Sequence, residues 1–507
     1  MPANLLKRLV CSAAVAAAFF TCAPPSGPPP TSPAAPPPPS VGEYECELIS
    51  EPEVVPAEIS VAILHPLAAD HAPWPQNDDE RLVFRHLYET LVRVDCRGSV
   101  RPGLAESWSS AAGGRIWKLR LRSDASFWDG SPVMADDIVA AWLSGAAEGL
   151  AFAAGIDSIN VEGSSDVILY LDRPHDQVPR LLADPELAVA RRGEPWRWPQ
   201  GTTPGRIEAP EPFEQGRRGR SELRLHPPSA EWPIIEFIQF PEADARDVLR
   251  RGFDLLVTRD QSALDYAAPQ PSFVSLPLPW DRSYVLLSTT RVRELRTGGV
   301  LETLSPDLLE ALARDAVRDD ARGHLSPAWW NDLAACGQLS PMPGSLPRVP
   351  PGAYRTSGPR RIVYPVADPV ARGLATRIVA LASEGGAASQ GAASLSAAVP
   401  GLAAGAPHLL TAGLSGEELE ASLRYGEEFA YVVPLPRIVL DPCFAGRKLA
   451  SRVEWLAPHV FDLAATLVPL VDTRRHVVAA GEHIGLYLDW DGTVLITSRH
   501  MPAGSRR

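Results

Sequence analysis

The chain has 507 residues, 45% of them apolar, which is enough for two or three packed units with hydrophobic cores. Its formal net charge is −13, from 61 acidic residues against 48 lysines and arginines. This balance argues against a nucleic-acid-binding protein, because such proteins present a basic face to the phosphate backbone.

Residues 1–22 have the pattern of a secretory signal peptide. Lys7 and Arg8 form a short basic region, and an apolar run follows from Leu9 to Phe20. That run is too short for a stable membrane-spanning helix, which needs about 20 residues. The tetrapeptide that ends at Cys22 is similar to a bacterial lipobox, so we expect lipidation at Cys22. Ordinary signal cleavage nearby is the alternative.

Residues 23–42 form a predicted proline-rich tether. Runs of two, three and four prolines begin at Pro24, Pro28 and Pro36. Such a segment favours extended polyproline II at about 3.1 Å per residue and builds no core. A lipid at Cys22 followed by this spacer would hold a folded body just off a membrane, whereas a leftover disordered leader is the alternative reading.

The body mixes helix and strand patterns in its first half. Asn77 and Glu80 have capping-box spacing, which predicts a helix start. Alternation from Trp117 to Arg122 predicts a half-buried strand, the pattern from Ala135 to Ser144 predicts a helix, and Ile159 to Leu171 reads as a hairpin.

Patterns in the second half indicate that the chain crosses twice between two units. Crossings are predicted near residues 275–285 and 468–478, helices over 305–317 and 455–467, and two late strands over 484–489 and 494–498. Two crossings imply that one unit is inserted in the other and that both termini belong to one lobe.

Four ordered blocks in the first half carry a resemblance to a known family: Leu87–Arg93 with Val100–Trp108, Trp117–Arg122, Phe127–Val133 and Ala135–Ile138. They resemble the family 5 extracellular solute-binding proteins, which include oligopeptide-, dipeptide- and nickel-binding components of ABC importers. Met134 departs from the pattern, because the family often has a helix-capping Thr there. Ser131 or Asp136 is expected to replace that cap, unless the helix start is frayed. The tryptophans of the blocks are expected to be core anchors rather than ligand contacts.

The resemblance implies an α/β fold: a periplasmic-binding-protein-like two-lobed clamp of type II or cluster C, with an extra inserted α/β subdomain in the first lobe. The first-lobe base is expected over residues 43–78, 203–277 and 475–507. The inserted subdomain is expected over 79–202 and the second lobe over 278–474. A ligand would bind between the lobes by hinge closure.

The function implied is an extracytoplasmic solute-binding protein of an ABC importer, with a peptide or similar small polar ligand, a permease partner and a lipid-held, monomeric, periplasmic location. A transport-silent sensor or envelope scaffold with the same fold is the alternative. An enzyme is not expected, because the sequence contains no Gly-x-Ser-x-Gly, His-Glu-x-x-His, phosphate-loop or nucleotide motif. Neither a cofactor nor a metal is expected, because the histidines are scattered and no Cys-x-x-Cys occurs.

The resemblance places ligand contacts in lobe-facing loops and in the crossing strands, including the stretch 472–476. Trp280 and Tyr284 are expected to enclose a ligand. Asp281 or Asp441 is expected to receive an amino group of the ligand. Arg282 or Arg474 is expected to receive a carboxylate by bidentate pairing. An alternative is that the neighbouring acid and arginine on the first crossing satisfy each other or water. The candidates are His65, Trp280, Asp281, Arg282, Tyr284, Asp441 and Arg474.

Four cysteines follow the tether, and an even count in an exported protein suggests disulfides. Three pairings of Cys46, Cys96, Cys336 and Cys443 exist. We favour Cys46–Cys96 with Cys336–Cys443, because each pair then stays within one predicted lobe.

Overall fold

The computed structural model describes residues 46–50, 56–143, 156–193, 198–203, 206–208, 222–227, 232–241, 243–288, 312, 314–317, 320–323, 361–388, 410–424, 429–436, 467–481 and 484–496. The predicted signal peptide, the tether and the predicted helix 455–467 lie outside these ranges, as do Cys22, Cys336, Asp441 and Cys443. Among the described helices, none combines the length and apolar character needed to cross a membrane.

The strands and helices alternate irregularly along the chain. In chain order the strands are β1 (Glu47–Ile49), β2 (Glu58–Ile63), β3 (Val92–Val94), β4 (Val100–Pro102), β5 (Ala105–Ala111), β6 (Ile116–Leu121), β7 (Ile156–Glu162), β8 (Asp166–Leu171), β9 (Arg206–Glu208), β10 (Glu222–His226), β11 (Ile234–Gln239), β12 (Leu255–Thr258), β13 (Phe273–Ser288), β14 (Ala321–Arg322), β15 (Arg361–Pro365), β16 (Leu410–Leu414), β17 (Ala430–Pro436), β18 (Leu467–Ala480), β19 (Leu486–Leu488) and β20 (Val494–Ile496). The helices are α1 (Asp78–Leu87), α2 (Ala135–Trp142), α3 (Val178–Leu181), α4 (Ala245–Leu249), α5 (Gln261–Ala267), α6 (Pro369–Ala388) and α7 (Gly416–Arg424).

One large mixed sheet runs through the body. Within the described ranges its order is β16-β15-β17-β13-β18-β12-β2-β11-β10-β9, and β14 pairs with β18 beside that path. The pairs β2–β11 and β2–β12 are parallel, whereas β13 and β18 pair antiparallel with each other. The sheet thus joins first-lobe strands to second-lobe strands through β13 and β18.

The first-lobe base packs α1 and a small β1-β19-β20 sheet against one face of β2, β11 and β12. Asn77 caps α1, since its side chain accepts a hydrogen bond from the Glu80 amide at 2.8 Å. In a capping box the Glu80 carboxylate would accept a hydrogen bond from the Asn77 amide. Here it accepts from the amides of Gln76 and Ala68 instead. Cys46 and Cys96 form a disulfide bond, which is the pairing the sequence favours.

The inserted subdomain is a four-stranded antiparallel sheet of order β5-β6-β8-β7 covered by α2. The predicted strand and hairpin correspond to β6 and to β7–β8. At the start of α2 the Asp137 carboxylate accepts a hydrogen bond from the Met134 amide at 2.8 Å. This bond is the reciprocal half of a capping box and does not replace the cap. Met134 makes no side-chain cap, and the Asp137 amide, which a capping Thr would satisfy, donates to the Met134 carbonyl at 3.0 Å rather than to Ser131 or Asp136.

The second lobe places α6 against β13, β15 and β17. Its buried apolar residues include Ile362, Leu374 and Val432. The described part of the predicted helix 305–317 contributes Leu312 and Val317 to the same core.

Two long strands connect the lobes at the predicted crossings. Near one end of the pair, Leu278 of β13 and Val477 of β18 belong to the first-lobe core. Near the other end, Leu286 of β13 and Leu470 of β18 belong to the second-lobe core. The fold is therefore the two-lobed α/β architecture that the resemblance implies, while the exact lobe boundaries remain predictions.

Candidate functional site

The crossing strands carry a cluster of opposite charges around Asp281, whose side chain is only 9% exposed. Nη2 of Arg259 donates to both carboxylate oxygens, at 2.9 and 2.8 Å. Arg475, opposite on β18, forms an ion pair with Asp281 at 2.9 Å and donates to the carbonyl of Gly492 at 3.1 Å. Asp281 thus anchors a buried cluster, and a ligand amino group would have to replace one of these arginines to reach it.

A second ion pair joins β13 to the first turn of α1. Nη2 of Arg282 lies 2.6 Å from Oδ2 of Asp78, and Arg259 lies 3.4 Å from the same oxygen. Burial raises the pKa of Asp78, but the charges of Arg282, Arg475 and Arg259 outweigh it and hold that pKa well below its ordinary value. Burial likewise opposes the charge on Arg282, but Asp78, Tyr284 and Asp281 together outweigh it and raise the pKa of Arg282. Both groups therefore stay charged at neutral pH.

His65 lies at the open edge of this cluster, with its side chain 60% exposed. Its Nδ1 is 2.8 Å from Oδ2 of Asp79, which also accepts from the backbone amides of Leu64 and His65. The hydrogen bond to Asp79 raises the pKa of His65, although burial works against the shift. The imidazole is thus held beside Asp78 and Arg282 and presents a polar edge to solvent.

Tyr284 faces the second-lobe core and is 2% exposed. Its hydroxyl donates to Oδ2 of Asp368 at 3.1 Å. Asp368 also caps α6 by accepting from the amides of Val370 and Ala371. Burial first, and then the Asp368 charge, raises the pKa of Tyr284. In this structure Tyr284 ties β13 to α6 and does not form an open wall.

Trp280 stands between charged groups at the point where the β13–β18 register shifts. The guanidinium carbons of Arg322 and Arg474 lie 4.3 and 4.6 Å from its ring centroid, which is cation–π distance. Arg322 of β14 pairs with the fully buried Asp472 at 3.0 Å, and Arg474 pairs with Asp320. Two acid–arginine pairs therefore hold the indole ring in place.

The structure gathers the predicted residues His65, Trp280, Asp281, Arg282, Tyr284 and Arg474 at the crossing, while Asp441 lies outside the described residues. Asp281 and Arg282, which the sequence left as a self-satisfied pair or ligand contacts, each pair with partners from other elements. No group of three or more metal-binding side chains occurs in the described ranges.

Several members of the cluster were missed by sequence reasoning: Asp78, Arg259, Asp320, Arg322 and Asp368. Asp78 was read only as part of a helix start. Arg259 could have been found from its position directly after the apolar strand β12. Where neighbouring strands end at the same edge of a sheet, the residues that follow them lie close together.

The tryptophans of the matched blocks are packing residues, as expected. Trp117 is buried, and its Nε1 donates to the carbonyls of Gly114 and His175 at 3.1 and 3.2 Å. Trp108 packs against the same subdomain core, and the Trp128 ring lies 5.8 Å from that of Tyr88. The blocks thus supply packing residues to the inserted subdomain and to the first-lobe base core.

Comparison with protein families gives a match over residues 99–209, to the middle region of the bacterial extracellular solute-binding proteins, family 5. The periplasmic oligopeptide-binding protein OppA of Haemophilus influenzae is 37% identical over 91 residues, which is 18% of this chain and 17% of that protein. The periplasmic murein peptide-binding protein MppA of Escherichia coli is 43% identical over 60 residues, 12% of this chain and 11% of that protein. The chain therefore spans only about a sixth or less of the length of these relatives at recognisable identity.

Solved structures show the same fold over most of the chain. CtaP, an ABC transporter substrate-binding protein of Listeria monocytogenes, superposes with a TM-score of 0.59 at 11% identity and covers 87% of this chain and 99% of that one. NikZ of Campylobacter jejuni, in complex with Ni(L-His), gives 0.57 at 14% identity and covers 87% and 98%. Residues 99–209 thus match the middle region of the family 5 extracellular solute-binding proteins, and the chain shares its two-lobed fold with these solved binding proteins.

Proposed function

We propose that this chain is the extracytoplasmic solute-binding component of an ABC importer. It captures a peptide or a similar small polar ligand between its lobes by hinge closure, and it delivers that ligand to a permease. The observation that carries the proposal is the charged crossing itself, where two strands belonging to both cores bring opposite charges and an indole ring together.

The accessible groups of the crossing suit a zwitterionic ligand. Arg282, Asp78, Arg474 and Asp320 have side chains between 27% and 33% exposed, so each retains a face for a ligand. Arginines recognise carboxylates through paired hydrogen bonds, and carboxylates receive ammonium groups. Trp280 offers an apolar and cation-binding surface between them. An unmodified peptide carries both terminal charges and apolar side chains, which matches this set.

The names of the relatives support the same ligand class. Oligopeptide- and murein peptide-binding proteins appear among them, and a nickel-binding periplasmic protein of Escherichia coli is 33% identical over 86 residues. The nickel relative makes a metal complex the competing ligand in any screen.

A thermal-shift screen tests the proposal with defined di- to pentapeptides, their N-acetylated and C-amidated forms, and nickel with histidine. We expect free peptides to raise the unfolding temperature and the blocked forms to lose most of that shift, because blocking removes a terminal charge. No response to any peptide would overturn the ligand class.

Matched variants locate the binding. Arg474→Gln is expected to weaken peptide binding about tenfold, since a charge-assisted hydrogen bond contributes about 1.5–3 kcal/mol. Arg224→Gln is the control, because Arg224 of β10 pairs with Glu236 of β11, away from the crossing. Equal loss in both variants would argue against a site at the crossing.

We also propose that the chain is periplasmic, monomeric and held at a membrane by acyl chains on Cys22. Incorporation of labelled palmitate into the wild type and its loss in Cys22→Ala test the anchor. A pull-down from membranes separates transport from the alternative role: recovery of a permease supports transport, and recovery of a histidine kinase or an envelope complex supports a sensor or scaffold.

A further inference from the structure

The crossing strand β18 has a break in its backbone pairing at one level. Along one edge, β12 pairs with residues 476–479 and β14 pairs with residues 472–473, so Arg474 and Arg475 fall between the two strands. On the other edge, the register with β13 shifts on both sides of the Trp280–Arg474 pair. Pro277 and Pro279 of β13 have no backbone donor to offer there. Bending at this level therefore disturbs few backbone hydrogen bonds.

The two strands on either side of the break belong to different lobes. Leu255 and Val257 of β12 lie in the first-lobe core, whereas Ala321 of β14 packs against the second-lobe core. A change in the angle between the lobes must therefore change the separation between the end of β12 and the start of β14.

Side chains bridge this break in both directions. Asp320, immediately before β14, pairs with Arg474 and reaches back to His476, whose Nε2 is 3.6 Å from Oδ2 of Asp320. His476 is the β18 residue that pairs with Thr258 of β12. In the opposite direction, Nη1 of Arg259, immediately after β12, donates to Oγ1 of Thr473 at 3.5 Å.

Thr473 is in turn the β18 residue that pairs with Ala321 of β14. We propose that Asp320 and Arg259 are positioning residues which form a reciprocal latch across the break in β18 and set the resting angle between the lobes. The latch deepens the proposed hinge closure: it rests on that function for its purpose, but it acts in the ligand-free protein. Loosening it lets the lobes sample a wider range of angles before any ligand arrives.

Hydrogen exchange of the ligand-free, dialysed protein tests the latch. In Asp320→Asn we expect amides of residues 472–476 and 281–284 to exchange about two- to fivefold faster, the factor that corresponds to loss of one partly exposed ion pair. Small-angle scattering of the same sample should show a larger radius of gyration. Asp320→Glu, which keeps the charge, should return both values toward those of the wild type.

The matched control is Asp315→Asn. Asp315 pairs with Arg377 at 3.3 Å within the second lobe, and its exposure is comparable to that of Asp320. It should leave exchange at the crossing unchanged. Thr473→Val, which removes the Arg259 contact without touching Asp281, should produce a smaller increase of the same kind as Asp320→Asn.

Unchanged exchange in Asp320→Asn, or a uniform increase over the whole chain, would overturn the latch. Because no ligand is used, that failure is separate from a failure to find peptide binding.

Discussion

The inserted subdomain and the crossing strands satisfy their buried polar atoms with partners at different distances along the chain. In the subdomain the partners are close in sequence: Trp142 donates to the Leu187 carbonyl, 45 positions away, and the buried Asp166 pairs with Arg120, 46 positions away. At the crossing, full charges are buried and are satisfied by other charges from distant parts of the chain, as Asp472 is by Arg322. The subdomain carries the family match over residues 99–209, whereas the ligand site that we propose lies at the crossing.

This difference explains which of the two regions leaves a recognisable pattern in the sequence. A core built on alternating apolar residues and turn glycines leaves a local pattern that a sequence search detects. A buried ion pair leaves no such pattern, because its members are far apart in the chain and each is an ordinary charged residue when read alone. In this protein the segment with the strongest sequence motif therefore consists mainly of packing residues.

The largest expected loss of stability comes from removing a buried charge at the crossing. Asp281→Ala should lower the free energy of unfolding by about 3–5 kcal/mol, because Arg259 and the 4%-exposed Arg475 lose their carboxylate inside the fold. Urea unfolding measures it. Asp247→Ala, at an exposed pair with Arg250, is the control and should change it by less than about 0.5 kcal/mol. A loss below about 1 kcal/mol for Asp281→Ala would contradict a tightly coupled cluster.

The next effect belongs to the subdomain. Leu119→Ala, at a fully buried position of β6, should cost about 2–5 kcal/mol through lost burial and a cavity. Leu119→Met conserves volume and should cost less than about 1.5 kcal/mol. Once both variants are folded, peptide affinity should equal that of the wild type, as calorimetry can measure. A weakened affinity in folded Leu119→Met would place the subdomain core in recognition.

The pH dependence of stability tests a buried histidine of the first-lobe base, which lies outside both regions and packs against Phe237. His86 donates from Nδ1 to the carbonyl of Leu82 at 2.8 Å, and its Nε2 accepts from the amide of Ile496 at 3.0 Å. That arrangement requires the neutral ring. Burial lowers the pKa of His86 to about 4, although the bond to Leu82 works against the shift.

The unfolded chain therefore binds the His86 proton more tightly than the folded chain does. Stability from this group should be complete above about pH 6.5 and should disappear as the pH falls toward about 4, a loss of roughly 3 kcal/mol. His86→Gln should flatten the profile in that window, as measured by urea unfolding at several pH values. His226→Gln, on the outer strand β10, should not. An unchanged slope in His86→Gln would contradict the assignment.

The smallest effect is local. Asn77→Ala removes the cap of α1 and should cost about 1 kcal/mol, seen as a lower unfolding temperature and faster amide exchange at residues 78–81. Asn77→Ser keeps an accepting oxygen and should stay within a few tenths of a kcal/mol of the wild type. A cost above about 3 kcal/mol for Asn77→Ala would mean that the cap also supports the neighbouring Asp78–Arg282 pair.

The sequence predicted features that depend on neighbouring residues. Asn77 as a cap, the strand around Leu119, the hairpin β7–β8 and the late strands β19–β20 all follow from local spacing. The positions of the two crossings also followed, because β13 and β18 are long and marked by prolines.

The pairing of charges at the crossing could not be predicted. Arg322 and Asp472 are 150 positions apart, and Arg282 and Asp78 are 204 apart. Only the tertiary fold brings them together, because it pairs β14 with β18 and brings the first turn of α1 to Arg282 of β13. The hydrogen bond of Glu80 could not be predicted either, although its partner is closer in the sequence. The loop amide of Ala68 donates to the carboxylate oxygen that a capping box would use.

We propose that a ligand binds at the crossing and not on the subdomain that carries the family match. Hydrogen exchange with and without a saturating peptide from the thermal-shift screen distinguishes the two locations. We expect slowed exchange over residues 278–284 and 471–476 and no change over residues 105–121. Protection confined to residues 105–121, with the crossing strands unaffected, would contradict it.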